Sequence, residues 1–478
     1  MSSNNPLFSE PWFWLATVLV IPYIINELIA FAFVLSRSLQ IWVSKFRTTS
    51  ESSTCSSIPS NLSISVVVPA HNEALVIAPA ITSILDSHYK NFEVIVVNDG
   101  SQDQTLQVLK DAFSLEEHPI PIYNKLSETP VRATFQSRTH DNLKVLHKKN
   151  LGKGKADALN CGIGYARYEH ICVVDADSTL ESNSLELLSR PFIERPETIA
   201  VGGSIRSRAI QKSDSSKQAS FNPLEWAQRV EYARIFYLDR VALSSLNLNY
   251  IISGAFGLFR RDALLAVGAY ESTSLAEDMD LTLKLHRYYR EQGLPYHIGH
   301  VPEANCWTQV PFDLANFQRQ RARWQAGFIK SFFNNKDIVF SKNLGPLGLA
   351  ILPYCMISLF EPAFALLSLG LTVAGAVYGN MGATLLASFL ICHALFSSTY
   401  LWSIYLEQRH RPKDMKGSTL KNYLAWLVCG KVYDMVAFSF RVTGYIKFFR
   451  KEHSWGKMER LRCASAYCGQ PLLERAEA

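Results

Sequence analysis

The middle of the chain alternates between short apolar runs and longer amphipathic stretches. The apolar runs are rich in β-branched side chains and span residues 64–68, 92–97, 143–146 and 171–174. Runs of this length and composition are typical of strands buried on both faces. Helical patterns begin near residues 74, 105 and 152. The alternation predicts an α/β fold whose sheet is doubly wound and mostly parallel, with helices on both faces.

Residues 115–139 interrupt this alternation. They contain three prolines and charged side chains of both signs. We interpret them as a long surface insertion that lies outside the core.

Both ends of the chain are apolar, in contrast to the polar middle. Residues 11–36 are almost continuously hydrophobic and long enough for a transmembrane helix. They lack the basic start and small-residue cleavage site of a signal peptide. Three further apolar segments span residues 344–378, 381–406 and 423–449. The predicted order is a short tail (1–10), a transmembrane helix (11–36), a polar linker (37–62), a globular domain ending in interfacial helices (63–340), a C-terminal membrane region (344–449) and a basic tail (450–478).

Basic residues orient this predicted membrane protein. Arg37, Lys45 and Arg47 follow the first apolar segment, whereas the first ten residues carry one acid and no base. The positive-inside rule then places the globular domain in the cytoplasm of a multi-pass cell-membrane protein. The last apolar segment contains Lys431, Asp434 and Arg441, so it either crosses the bilayer or lies in its interface.

The overall charge and the cysteines narrow the class of protein. The formal net charge is +6 over 478 residues, which suits a protein beside an anionic membrane leaflet and gives no reason to expect a nucleic-acid partner. The nine cysteines form no CxxC pair. They are typical of buried free thiols in a reducing compartment.

Carboxylates follow two of the predicted strands. Asp99 follows the second apolar run, and Asp175-Ala176-Asp177 follows the fourth. Open α/β sheets bind ligands at the carboxyl ends of their strands. Asp175 and Asp177 can both reach one hard cation, so we predict that they bind Mg²⁺ or Mn²⁺ on a nucleotide diphosphate. Asp99 by itself is equally typical of a turn.

Three other segments are candidates for substrate binding. Glu73 follows the first strand in a turn that could bind a ribose or base, or could cap a helix. Lys155 lies at a glycine-rich helix start, where it could meet a diphosphate or form part of a solvated basic turn. Ser253 and Gly254 could form a wall against which a substrate ring rests, or could serve packing alone.

Two helical motifs complete the candidate site. Glu277 and Asp278 begin an amphipathic helix, where an acid is either a cap stabilised by the helix dipole or a general base for an acceptor hydroxyl. Gln320, Arg323 and Trp324 lie at i, i+3 and i+4 of a second helix and so share one face. The Trp324 indole could stack against a sugar, and Arg323 beside it could bind a phosphate. Amphipathic packing at a membrane surface is the alternative.

These motifs, in this order, resemble the processive, membrane-embedded members of glycosyltransferase family 2, which include the cellulose and hyaluronan synthases. The likeness is carried by Asn98-Asp99-Gly100, Asp175-x-Asp177, Glu277-Asp278 and Gln320-x-x-Arg323-Trp324. Residues 276–282 and 323–327 are most similar to bacterial poly-β-1,6-N-acetylglucosamine synthase-like proteins.

The resemblance implies an inverting transfer from a UDP-sugar to a growing polysaccharide. UDP-N-acetylglucosamine is the favoured donor and UDP-glucose is the next. The implied roles are uridine binding by Glu73 and Asp99, metal and diphosphate binding by Asp175 and Asp177, and general base catalysis by Asp278. Contacts to the diphosphate and the acceptor sugar are implied for Gln320, Arg323 and Trp324. The remaining predicted substrate-binding residues are Lys155, Ser253, Gly254 and Glu277.

The sequence leaves a second enzyme class open. This is a non-processive transferase that adds one sugar to a lipid carrier or glycolipid, although the Gln-x-x-Arg-Trp motif and the C-terminal apolar segments favour a polymer. An inactive scaffold of the same fold is disfavoured because the acidic residues and Trp324 are all present. The expected partners are a UDP-sugar, a polysaccharide acceptor, a lipid bilayer and an accessory membrane subunit.

Overall fold

A computed structural model describes residues 62–207, 222–272, 274–358, 397–410 and 418–450, with the single residues 28, 32 and 370. The predicted transmembrane helix at 11–36, the polar linker and the basic tail therefore lie almost entirely outside the described residues. The same holds for most of the apolar stretch between residues 359 and 396.

Ten strands form one sheet. They are β1 (Ile64–Ala70), β2 (Phe92–Asp99), β3 (Leu115–Glu117), β4 (Val131–Ser137), β5 (Leu143–Lys148), β6 (His170–Val174), β7 (Thr179–Leu180), β8 (Thr198–Ser207), β9 (Phe256–Arg260) and β10 (His297–Thr308). Their order across the sheet is β3-β4-β5-β2-β1-β6-β9-β8-β10-β7. All four predicted strands are present, as β1, β2, β5 and β6.

The α-helices alternate with these strands and then continue beyond them. They are α1 (Ile77–Leu85), α2 (Thr105–Phe113), α3 (Gly154–Tyr165), α4 (Ser184–Glu194), α5 (Pro223–Arg234), α6 (Arg240–Ser245), α7 (Arg261–Ala266), α8 (Glu277–Glu291), α9 (Leu314–Asn334), α10 (Leu352–Ser358) and α11 (Thr419–Phe449). A π-helical turn, Ile235–Asp239, joins α5 to α6.

Both faces of the sheet are buried, as the continuous apolar strands predict. Val66 and Val68 of β1 lie in one apolar cluster, and Val67, the residue between them, lies in the cluster on the opposite face. All three side chains are fully buried. Successive side chains of a strand point to opposite faces, so an unbroken run of valines requires helices on both sides.

The prediction of a mostly parallel sheet is wrong only in part, because the sheet is mixed but keeps a parallel centre. β5, β2, β1 and β6 are parallel neighbours, and so are β8 and β10. β9 runs antiparallel to both β6 and β8, and β3, β4 and β7 are also antiparallel to their neighbours. A parallel pair needs a crossover of a dozen or more residues. Only residues 138–142 join β4 to β5, so this pair has to be antiparallel.

The interpretation of residues 115–139 as an insertion outside the core is also wrong. They supply β3 and β4, which extend the sheet beyond β5. Phe135 of β4 is buried in the main apolar cluster. Strands at or next to a sheet edge tolerate polar residues. The polar composition of residues 115–139 therefore did not indicate these two strands.

The C-terminal helix α11 packs tightly along α9. A methyl group placed on Gly444 would lie 2.6 Å from the carbonyl oxygen of Ala322. No described helix is by itself long and apolar enough to cross a bilayer. The two parts of α11, Thr419–Gly430 and Val432–Phe449, meet that requirement together and bend by 51° where they join.

Candidate active site

Glu73 lies in the loop that follows β1, and Asp99 is the last residue of β2, directly before the neighbouring loop. The two loops are joined by hydrogen bonds. The side-chain oxygen of Asn72 accepts from the backbone N–H of Gln102 at 2.7 Å. The N–H of Glu73 donates to Thr105 Oγ1 at 2.9 Å. The structure thus brings the two predicted uridine-binding residues to one edge of the sheet.

A buried lysine, which the sequence analysis missed, holds Asp99. Lys148 Nζ lies 2.6 Å from Asp99 Oδ1 and 2.8 Å from Asp157 Oδ2. Asp157 also accepts hydrogen bonds from Ser127 and Thr129 in the segment before β4. Burial alone would lower the pKa of Lys148, but the hydrogen bonds to Asp157 and Asp99 outweigh it and raise the pKa. Lys148 therefore stays charged and fixes the Asp99 carboxylate.

Three separate elements bring charged groups together at Lys155, and a loop adds a carbonyl oxygen. Lys155 lies in the first turn of α3, and its Nζ is 2.5 Å from Asp175 Oδ1 at the end of β6. The same ammonium group donates to the carbonyl oxygen of Gly254 at 3.0 Å and lies 3.8 Å from Glu277 Oε1. Burial lowers the pKa of Lys155, but the charges of Asp175 and Glu277 prevail and raise it above its ordinary value.

Backbone N–H groups orient the Asp278 carboxylate. Its Oδ2 accepts from the N–H of Gly254 at 3.0 Å, and its Oδ1 accepts from the N–H of Met279 at 2.8 Å. A methyl group on Gly254 would lie 3.2 Å from Lys155 Nζ and 3.5 Å from Asp278 Oδ2. The glycine thus permits the close approach of α3 and α8. Ser253 precedes it and accepts a hydrogen bond from the N–H of Ala255.

Asp177 follows Asp175 by two residues, and two hydroxyl groups donate to it. Ser178 Oγ is 3.0 Å from Asp177 Oδ1, and Thr308 Oγ1 is 3.4 Å from the same oxygen. In the described part of the chain no three His, Cys, Asp or Glu side chains form a cluster able to hold a metal ion. Mg²⁺ usually takes one or two protein carboxylates and fills its other positions with water and substrate phosphates. The half-buried pair Asp175 and Asp177 fits that donor set.

Glu277 is the most strongly perturbed carboxyl group of the cluster. Its side chain is buried beside Asp278, and burial raises the pKa of Glu277 to about 7 even though Lys155 lowers it. Three carboxyl groups, those of Asp175, Glu277 and Asp278, surround the single ammonium group of Lys155. The cluster therefore has an excess of negative charge, which favours a cation.

The raised pKa of Glu277 predicts a specific pH dependence of stability. The unfolded chain ionises this carboxyl near its ordinary pKa of 4.5, whereas the folded chain holds the proton to about pH 7. Folding stability contributed by Glu277 is therefore lost as pH rises from about 4.5 to about 7. We expect Glu277→Gln to remove that decline. Thermal melting of both proteins with a chelator, from pH 4.5 to 8, measures it; parallel curves would contradict the assignment.

Gln320, Arg323 and Trp324 lie on α9, next to the loop that delivers Glu277 and Asp278. Gln320 is buried, Arg323 is half-buried and Trp324 is 41 % exposed. A methyl group on Gly327 would lie 2.8 Å from the carbonyl oxygen of Leu275. The helix and the loop are therefore in direct contact.

Arg321 is a second residue that the sequence analysis missed. Its two terminal nitrogens donate to Glu231 Oε1 at 2.7 Å and Oε2 at 2.5 Å. Tyr433 of α11 donates to the same Glu231 carboxylate at 2.6 Å. The guanidinium carbon of Arg321 also lies 4.8 Å from the centre of the Trp324 ring. The buried pair joins α5, α9 and α11 beneath the indole.

Two family models match the chain. The model described as "Glycosyl transferase family 2" matches residues 65–268. The model described as "Glycosyl transferase family group 2" matches residues 170–440, which is more than half of the chain. The chain belongs to glycosyltransferase family 2. The prediction of this family is thereby confirmed.

Curated relatives match about half of this family 2 chain. Poly-β-1,6-N-acetyl-D-glucosamine synthase of Staphylococcus epidermidis is 29% identical over 264 residues, 55% of this chain and 54% of that protein. The synthase of the same name from Staphylococcus aureus is 27% identical over 276 residues, 57% of each chain. The chain therefore spans about half the length of the curated relatives that it matches.

A solved structure supports the fold of this family 2 chain. A mannosyltransferase from Pyrobaculum calidifontis, solved in complex with GDP-Man and Mn²⁺, superimposes with a TM-score of 0.52 at 18% identity and covers 90% of this chain and 100% of that one. The likeness thus confirms an α/β fold. The roles assigned to individual residues of the site stay predictions.

Proposed function

We propose that this chain is a membrane-embedded, inverting glycosyltransferase that transfers a sugar from a UDP-sugar to a growing polysaccharide. N-acetylglucosamine is the first candidate for the sugar, because the curated relatives are synthases of a poly-N-acetylglucosamine. The observation that carries the proposal is the cluster of Lys155, Asp175, Gly254, Glu277 and Asp278. In this cluster, a carboxylate that can act as a general base lies beside groups that can bind a diphosphate.

Asp278 is the proposed general base. The N–H groups of Gly254 and Met279 each bind one of its carboxylate oxygens, so the carboxylate is oriented before substrate arrives. It takes the proton of the acceptor hydroxyl as that oxygen attacks the anomeric carbon and the bond from that carbon to UDP breaks. A single displacement of this kind inverts the anomeric centre and needs no covalent nucleophile.

The other charged residues bind the donor. Asp175 and Asp177 would hold Mg²⁺ or Mn²⁺, which when bound neutralises charge on the leaving diphosphate. Lys155 lies between Asp175 and Glu277 and supplies a second positive charge at the same place. Glu73 and Asp99 would contact the uridine. Trp324 would stack on the acceptor sugar.

The exposed face of α11 supports the proposed membrane location. Eight apolar side chains recur three, four or seven residues apart along this helix and are 39% to 77% exposed: Leu420, Leu424, Val428, Val432, Met435, Val442, Ile446 and Phe449. Soluble proteins rarely expose so long an apolar stripe. Hydrocarbon chains of a bilayer would cover it, whether the helix crosses the membrane or lies in its interface.

A transferase that adds one sugar to a lipid carrier is the second candidate. It would share the same base and donor site, and it would equally need a membrane to reach its acceptor. Trp324 favours the polymer, because a partly exposed indole suits the terminal sugar of a chain.

The decisive experiment is the release of nucleoside diphosphate, UDP or GDP according to the donor, by detergent-solubilised or membrane-embedded full-length protein. We expect turnover with UDP-N-acetylglucosamine in the presence of Mg²⁺ or Mn²⁺ and a product of high molecular weight. UDP-glucose, UDP-galactose and GDP-mannose serve as competing donors. A short or lipid-linked product would favour the single-addition enzyme. Turnover with GDP-mannose alone would overturn the UDP-sugar assignment.

A further inference from the structure

Asp280 is a buried carboxylate to which the proposed reaction gives no role. It lies two residues after Asp278 and is only 3% exposed. Its Oδ2 accepts a hydrogen bond from Ser274 Oγ at 2.5 Å. Its Oδ1 accepts from Ser331 Oγ and from Asn335 Nδ2, the latter at 2.9 Å. We call these four residues the Asp280 clasp.

We propose that Asp280 is a positioning residue that fixes the base-bearing start of α8 in register with α9. The inference rests on the proposed function, because it takes Asp278 to be the base of that reaction. Asp280 itself touches no reacting atom in this scheme.

The chemistry of the clasp explains why a carboxylate occupies this position. All three partners are neutral donors, two hydroxyl groups and one amide N–H. A buried carboxylate is costly unless hydrogen bonds satisfy it, and hydrogen bonds to an ionised acceptor are stronger than those between neutral groups. An asparagine would replace one acceptor oxygen with a donor, so it could not accept all three bonds. The clasp is therefore both strong and specific for an acid.

The clasp spans two structural elements. Ser274 lies in the loop before α8, whereas Ser331 lies in the last turn of α9 and Asn335 is its C-cap. A second contact lies beside it, where Gly327 of α9 packs against the carbonyl oxygen of Leu275. The loop that delivers the base is thus held against α9 at two points.

The same helix carries the predicted acceptor contacts. Trp324 and Gln320 precede Ser331 by about two and three turns, roughly 10 to 16 Å along one rigid helix. A fixed junction at Ser331 consequently sets the distance between the base and the residues expected to bind the acceptor. Small displacements of reacting groups cost large factors in rate.

The test uses full-length protein with Ser331 and Asn335 both changed to alanine, which leaves every proposed catalytic and binding residue in place. We expect kcat per folded molecule to fall about tenfold while KM for the donor stays within about twofold. Ser189→Ala is the matched control, because Ser189 is a fully buried helical serine on α4. Asp280→Asn, which disrupts the whole clasp, should lower kcat further.

Hydrogen exchange of residues 274–282 provides a readout that does not depend on turnover. We expect faster exchange there in the double variant and no change in the Ser189→Ala protein. An unchanged kcat in an active wild-type background, with only a lower melting temperature, would make the clasp purely structural and overturn the inference. Unchanged exchange would overturn it as well. If the unchanged protein turns over none of the donors, the proposed function is contradicted. The exchange result alone then decides the inference.

Discussion

Asp278→Asn is expected to lower the rate of sugar transfer by about 10² to 10⁴ while leaving the affinity for UDP within about threefold. The base acts on the acceptor hydroxyl in the transition state, after the donor has bound, so its removal affects kcat rather than donor capture. Single-turnover transfer and calorimetric titration with UDP, both in Mn²⁺, measure the two quantities separately.

The control for this variant is Asp111→Asn, the same change at an exposed position of α2. A melting curve accompanies it, because both oxygens of Asp278 accept backbone N–H groups and an asparagine retains only one of the two bonds. A parallel loss of UDP binding and of thermal stability would show that Asp278 supports the loop rather than the reaction. Retained transfer would exclude it as the base.

The positions of the acidic residues could be predicted because they depend on local sequence. A run such as Ile171–Val174 forms a strand from its own composition, and the residue after it, Asp175, necessarily lies at the edge of the sheet. The same reasoning correctly placed Asp99 at the carboxyl end of β2. The start of α8 at Glu277 follows from the amphipathic period alone. These inferences need no knowledge of what packs against each element.

The partners of those residues could not be predicted, because they come from distant parts of the chain. Lys148 belongs to β5, whose neighbouring strands are known only once the sheet is assembled. No residue near Asp99 in the sequence indicates that Lys148 pairs with it. Arg321 lies inside the Gln-x-x-Arg-Trp motif, yet its partner Glu231 is 90 residues away. The antiparallel course of β9 likewise depends on how α5 and α6 return the chain to the sheet. Burial of a charge, rather than its sequence motif, identifies such residues.

The remaining large effect concerns the metal. We expect a chelator to abolish transfer, added Mn²⁺ or Mg²⁺ to restore it, and Asp177→Ala to raise the metal concentration needed for half-maximal rate by at least about tenfold. Asp175 already has Lys155 at 2.5 Å, whereas two neutral hydroxyls donate to Asp177. Replacing Asp177 by alanine removes one of the two carboxylates predicted to bind the metal and should therefore weaken metal binding strongly.

Binding of Mn²⁺ to the UDP-loaded protein, followed by electron paramagnetic resonance, tests the metal assignment without any turnover. Asp111→Ala is the matched control and should bind Mn²⁺ as the unchanged protein does. Equal Mn²⁺ affinity in the Asp177→Ala protein would exclude this carboxylate as a ligand. Activity that persists in a chelator would leave Lys155 and Arg323 as the only proposed cations on the diphosphate. In that case, Lys155→Met should eliminate the transfer that remains.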